Sequence, residues 1–99
     1  MMTINVEKNN ETICLKIEGR LDTTTAPALE SAINELPDDV TTLVLDMSQL
    51  VYISSAGLRV LLGAQKKMNK IGIMKLVGVC EAVMDVLEMT GFADILTIE

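Results

Sequence analysis

The sequence predicts an α/β protein with the element order ββαβαβαβ and a mixed β-sheet on which the helices pack. Three observations carry that assignment. Two short alternating stretches open the chain with turn residues between them, and further on strand-like apolar runs take turns with segments whose apolar residues recur at helical spacing. One of the runs, "VTTLVLDM" (40–47), is almost continuous in apolar and β-branched residues, the composition of a central strand covered on both faces. Strands that alternate with helices of this length are joined by crossovers between parallel neighbours, each with a right-handed preference.

In order, "TINVEK" (3–8) and "TICLKIEG" (12–19) have the period of half-buried strands, and "KNNE" (8–11) supplies a hairpin turn. "TTTAPALESAINELP" (23–37) places Ala26, Leu29, Ala32, Ile33 and Leu36 at helical spacing, with a threonine to cap the helix and Pro27 tolerated in its first turn. The run 40–47 follows as the mid-sheet strand, and a loop is expected from Asp46 to Ser54. After Ser55, a second helix gathers Leu58, Leu61, Leu62 and Met68 on one face. Lys66, Lys67 and Lys70 fall near its end, where cations complement the helix dipole. "IGIMKLVGVC" (71–80) returns as a strand, "EAVMDVLEMTG" (81–91) is a third amphipathic helix ending at Gly91, and "ADILTIE" (93–99) closes as a last strand.

A length of 99 residues with 49% hydrophobic content suits one core, so a single domain over 1–99 is expected. The net charge of −6 and the lack of a dense Lys/Arg cluster argue against direct nucleic-acid binding, which needs a positive surface. The start, "MMTINVEKNNE", has no charged leader followed by an apolar stretch, and no apolar run approaches the roughly 20 residues of a membrane span. A cytoplasmic protein without membrane attachment is the expectation.

Cys14 and Cys80 form no Cys-x-x-Cys pair, and the chain has no histidine. The expectation is two buried, reduced thiols with no metal site and no cofactor. Without histidine the usual base of a serine hydrolase is missing, and no Walker pattern is present, so an enzyme is the least favoured class.

The stretch "VYISSAGLRVLLG" (51–63) stands out because two serines precede a small residue, a glycine and an apolar run. Either Ser54 or Ser55 can cap the free amides of the following helix, and Gly57 permits a tight turn that leaves the helix start open to an anion. A site here sits beyond the carboxyl end of the central strand, the usual ligand edge of an α/β sheet.

"LVLDMSQLVYISSAGLRVLL" (43–62) resembles the signature of the STAS-domain anti-sigma factor antagonists, in which an aspartate-bearing strand leads to a phosphorylatable serine and a Gly-Leu helix start. "EGRLD" (18–22) is similar to that family's Gly-x-Leu/Ile-Asp, "TAPAL" (25–29) to its next helix start and "MTGFADIL" (89–96) to its Thr-Gly exit from the third helix. The resemblance implies a single STAS-like domain and a partner-switching function. The unphosphorylated form would bind an anti-sigma factor serine kinase and release a sigma factor; phosphorylation would end the binding; a metal-dependent serine phosphatase would restore it. In the family the acceptor lies two residues before the glycine, here Ser55, with Ser54 as second choice where relatives often have aspartate. Asp22, Ser54, Ser55, Ala56, Gly57 and Arg59 are the implied partner-binding residues, Arg59 standing where relatives commonly have a small residue. Asp22 is equally readable as a turn-forming aspartate that caps the first helix, and Asp46 as a residue that orients the loop. The competing function is a STAS interaction subunit of a lipid-transport or signalling assembly, with a serine pair that is never phosphorylated.

Overall fold

The computed structural model describes residues 2–99. β1 (Met2–Asn9) and β2 (Thr12–Leu21) form the opening hairpin, followed by α1 (Ala26–Asn34), β3 (Thr42–Ile53), α2 (Ser55–Ile71), β4 (Ile73–Val77) and α3 (Glu81–Met89). The sheet order is β1-β2-β3-β4, antiparallel between β1 and β2 and parallel for the other two pairs. β3 is central, as its composition predicts. The eighth element is narrower than expected: Phe92–Asp94 is a turn of 3-10 helix, and only Ile98 pairs with the sheet, through a parallel bridge to Leu76. Two bonds hold it, Leu76 N–H to the Thr97 carbonyl and Glu99 N–H to the Leu76 carbonyl, each 2.9 Å.

The expectation of a sheet covered on both faces is overturned. The chain steps from β2 to β3 to β4 in one direction across the sheet, and right-handed crossovers that never reverse direction place their helices on the same side. Alternation then divides the strands. Ile13, Leu15, Ile17, Leu43, Leu45, Met47, Met74 and Leu76 point to the helices and are buried, while Cys14, Lys16, Val44, Asp46 and Lys75 lie on the other face and are only partly covered or exposed. Cys14 is therefore not a core residue. Burial against the sheet and the nearby carboxylates of Asp46 and Glu7 push its thiol up from the ordinary value. Cys80 is also half-buried, at the start of α3, where its thiol donates to the Leu50 carbonyl at 3.3 Å; both cysteines are free.

The helices meet the sheet through residues at the predicted spacing: Ala26, Leu29 and Ile33 from α1, Leu58, Leu61, Ala64 and Met68 from α2, Val83 and Leu87 from α3. Leu62 lies beside this stripe and is half-buried. Lys67 Nζ reaches the Ile33 carbonyl at 3.1 Å, satisfying a carbonyl at the end of α1. Gly91 takes a left-handed φ of 79° where α3 ends, the conformation that favours glycine there. No helix among the described residues is long and apolar enough to cross a membrane.

Candidate functional site

The loop expected from Asp46 to Ser54 is overturned. Those residues are not a loop: β3 runs on to Ile53 because β2 extends beside it to Leu21. Two irregularities, between Lys16 and Glu18 and between Gly19 and Arg20, let β3 carry extra residues against β2. Asp46 is consequently mid-strand, paired with Lys16 and Val77 on the uncovered face. It lies eight positions before Ser54, roughly 25 Å along the strand at the usual rise per residue, so it does not orient the serines. Its carboxylate instead accepts from the Ser48 N–H at 3.0 Å, and that bond is the main reason it ionises below the ordinary range.

The serines stand where β3 gives way to α2. Ser54 is extended, with ψ of 175°, and is the N-cap. Its N–H donates to the Leu21 carbonyl at 2.9 Å and its carbonyl accepts from Leu58 N–H at 2.9 Å. Its hydroxyl accepts from Gly57 N–H at a long 3.4 Å. Ser55 is the first residue of the helix and is exposed. The two serines thus divide the roles that sequence alone left open: the cap is Ser54, and the Ser55 hydroxyl is outside the capping geometry. No acidic residue occupies the first turn of α2.

Gly57 is required for a different reason from a tight turn. A Cβ there would stand 2.7 Å from Leu21 Cγ and 3.0 Å from Ile53 Cγ1; both of those side chains are buried. The helix start rests directly on the paired ends of β2 and β3, where Leu21 faces Ile53. Ala56 is half-buried beside it and Arg59, one turn on, is exposed. Arg59, Ala56, Thr23, Pro27, Glu30 and Val60 line most of a depression of about 240 Å³ between the starts of α1 and α2.

Asp22 closes the same edge from the β2 side. One carboxylate oxygen accepts from the Thr24 N–H (3.0 Å), the Thr24 hydroxyl (2.8 Å) and the Thr25 N–H (3.2 Å). The Thr24 hydroxyl contributes most to holding Asp22 below the ordinary carboxylate range. The N-cap position of α1 is Thr25, but no side chain caps that helix. The Thr25 hydroxyl turns back instead, accepting from Asp22 N–H and donating to the Arg20 carbonyl, both at 2.8 Å. Arg20 stacks on Tyr52 with its guanidinium carbon 4.1 Å from the ring centroid, and the two are register partners at the ends of β2 and β3. Sequence reasoning missed Arg20, Thr24, Thr25 and Tyr52. "EGRLD" contains Arg20, but its pairing with Tyr52 depends on the irregular register, which no local pattern signals.

The STAS domain family matches residues 3–99. The chain belongs to the STAS domain family. This STAS domain is 37% identical over 70 residues to the anti-sigma-F factor antagonist RsfB of Mycobacterium tuberculosis, a match that covers 70% of this chain and 57% of that protein. It is 29% identical to the anti-sigma-B factor antagonist of Bacillus subtilis, covering 98% of this chain and 90% of the relative. Among solved structures, an anti-sigma factor antagonist from Mycobacterium paratuberculosis superimposes with a TM-score of 0.89 at 28% identity, over 99% of this chain and 85% of that one. The match spans a little over half of the first relative's length.

Chemically, the edge offers an exposed hydroxyl; the chain has no histidine to serve as its base, and the Asp22 carboxylate at the same edge is occupied by threonine donors. Such a hydroxyl suits acceptance of a group delivered by another protein's active site.

Proposed function

We propose that this chain, as one STAS domain over 1–99, is a cytoplasmic anti-sigma factor antagonist that switches partners through Ser55. In the unphosphorylated form it binds an anti-sigma factor serine kinase and frees the sigma factor. The kinase then transfers the γ-phosphoryl of ATP to Ser55: a bond forms between Oγ and the γ-phosphorus, the bond to the β,γ-bridging oxygen breaks, ADP leaves and the hydroxyl proton goes to a base of the kinase. A metal-dependent serine phosphatase reverses the modification by hydrolysis. The observation that carries the reading is the exposure of Ser55 at the first position of α2 while Ser54 occupies the cap.

The physical basis is electrostatic. A phosphoryl group adds about −1.5 to −2 charges to a surface that a bound kinase must desolvate, and burying an uncompensated charge costs several kcal/mol. Asp22, Ser54, Ala56 and Arg59 form the contact surface around the acceptor, and Gly57, buried against Leu21 and Ile53, seats the helix start that presents it. The names of the relatives from Mycobacterium tuberculosis and Bacillus subtilis support the assignment.

The test is incubation with the cognate kinase and ATP, followed by intact-mass measurement of wild type, Ser55→Ala and Ser54→Ala. A phosphate gained by wild type and Ser54→Ala but not by Ser55→Ala is the expected pattern. Loss of the phosphate in Ser54→Ala alone would move the site by one residue. No incorporation in any of them would favour an interaction subunit in which the serine pair has no modification role.

A further inference from the structure

We propose that Arg59 is the intramolecular partner of a phosphoryl group on Ser55, so that modification adds an anion and at the same time withdraws a cation from the contact surface. The inference rests on the assignment of Ser55 as acceptor. Both residues are on α2, four positions apart, and side chains at this spacing are neighbours, with about 5–6 Å between Cβ atoms. The anion is on the N-terminal side of the cation, the favourable order for such a pair on a helix. A guanidinium fork matches two phosphoryl oxygens.

The charged surroundings leave Arg59 available. Its neighbour across the depression is Glu30 of α1, yet the ion pairs of the described residues are Lys8–Asp39 and Lys75–Glu99, and Arg59 belongs to neither. Asp22, the other carboxylate at this edge, is engaged by Thr24 and Thr25. Arg20, the other cation, is stacked on Tyr52. The Ser54 hydroxyl serves the cap. In the unmodified protein Arg59 is exposed beside Ala56, where it can meet an acidic partner surface. After modification it has a dianionic neighbour one turn away. The phosphorylated face then lacks a positive contact and carries its own ion pair in its place.

Phosphoserine installed genetically at position 55 tests this without any kinase. The second ionisation of the phosphoryl group, followed by phosphorus NMR, is compared in wild type, Arg59→Gln, Arg59→Lys and Arg20→Gln. A nearby cation favours the dianion, so Arg59→Gln should titrate about half a unit or more above wild type. Arg59→Lys should recover part of the difference as a point charge without the fork, and Arg20→Gln should match wild type. The unmodified Arg59→Gln protein should melt with wild type, since the side chain is exposed. Equal titration of wild type and Arg59→Gln overturns the proposal, as does a shift produced by Arg20→Gln instead. A kinase that fails to modify Ser55 would count against the assigned function and leave this titration readable.

Discussion

The N–H of Ser54 donates to the carbonyl of Leu21 at 2.9 Å, so the helix carrying the candidate phosphoacceptor is tied to the end of β2 by backbone and not by the serine hydroxyls. The two serine variants should accordingly differ. Ser54→Ala removes an N-cap acceptor and should lower stability by about 0.5–1 kcal/mol, the low end of the range because the 3.4 Å bond is long. Ser55→Ala removes an exposed hydroxyl and should stay within about 0.5 kcal/mol. Urea titration checks both.

Calorimetry against the kinase separates charge from shape at the acceptor. Ser55→Ala should bind as the unmodified protein does, and Ser55→Asp should bind at least about tenfold more weakly, because only the second places a charge on a surface that is desolvated. Equal affinities would sink partner switching by this residue.

Asp22 can be read through a pair of variants that differ only in what they retain. Asp22→Asn keeps an oxygen for the Thr24 and Thr25 donors but loses the charge; Asp22→Ala loses both. If the charge contacts the kinase, Asn should weaken binding with little change in melting, while Ala should also lower Tm by roughly 4 °C. The pH dependence has a fixed sign. A carboxylate whose folded value lies below 3.8 contributes stability that is present above that ordinary value and lost as pH falls through the depressed one. Asp46 contributes in the same window, so acid titration of Asp22→Asn should show a shallower loss of stability below about pH 4 than wild type.

Two glycines of α2 should respond in opposite ways. At Gly57 a methyl group meets Leu21 at 2.7 Å; overpacking costs about 1–3 kcal/mol against about 1 gained from helix propensity, leaving a net loss of roughly 1 kcal/mol. At Gly63 an added Cβ has no atom within 4 Å, so Gly63→Ala should gain up to about 1 kcal/mol. Thermal melting of the two single variants decides the matter.

Phosphorylation should leave the fold in place. The dipole at the start of α2 and the Arg59 charge favour the phosphate by about 0.3–1 kcal/mol at an exposed site, and Asp46 is too distant to oppose it through physiological salt, whose screening length is about 8 Å. Amide exchange of modified and unmodified protein should therefore agree through α2. Broad loss of protection from Leu58 to Met68, or a Tm lowered by more than roughly 8 °C, would mean that the switch unfolds the helix.

The elements most legible in the sequence were those governed by period. The α2 stripe of Leu58, Leu61 and Met68 follows from spacing, as does the alternation of Ile13, Leu15 and Ile17. What period could not reveal is which face of the sheet receives the helices: Val44 and Cys14 belong to apolar runs, yet the single direction of the crossovers leaves them on the open side. The stretch from Asp46 to Ser54 reads as a loop because local composition carries no information about the neighbouring strand, which continues to Leu21. At the site, the importance of the serine pair was readable from its position before Gly57. The division of roles between cap and exposed hydroxyl was not, since either serine satisfies the same local pattern until the Leu21 bond sets the phase.

From Lys16 to Leu21 the second strand advances five positions, and from Asp46 to Ile53 the third advances seven. The surplus is two, one for each irregularity, and each bulge absorbs its own extra residue: Leu50 is buried three positions after Met47, and Ile53 is buried three positions after Leu50. Strand phase is therefore restored locally, one bulge at a time. Removing the extra residue of one bulge would regularise the ladder there and leave Ile53 facing inward, whereas removing a residue outside the bulges would put the strand out of phase with its neighbour. Relatives that differ in length here are expected to differ in their number of bulges, a rule for aligning the acceptor serine that needs no shared residue identity.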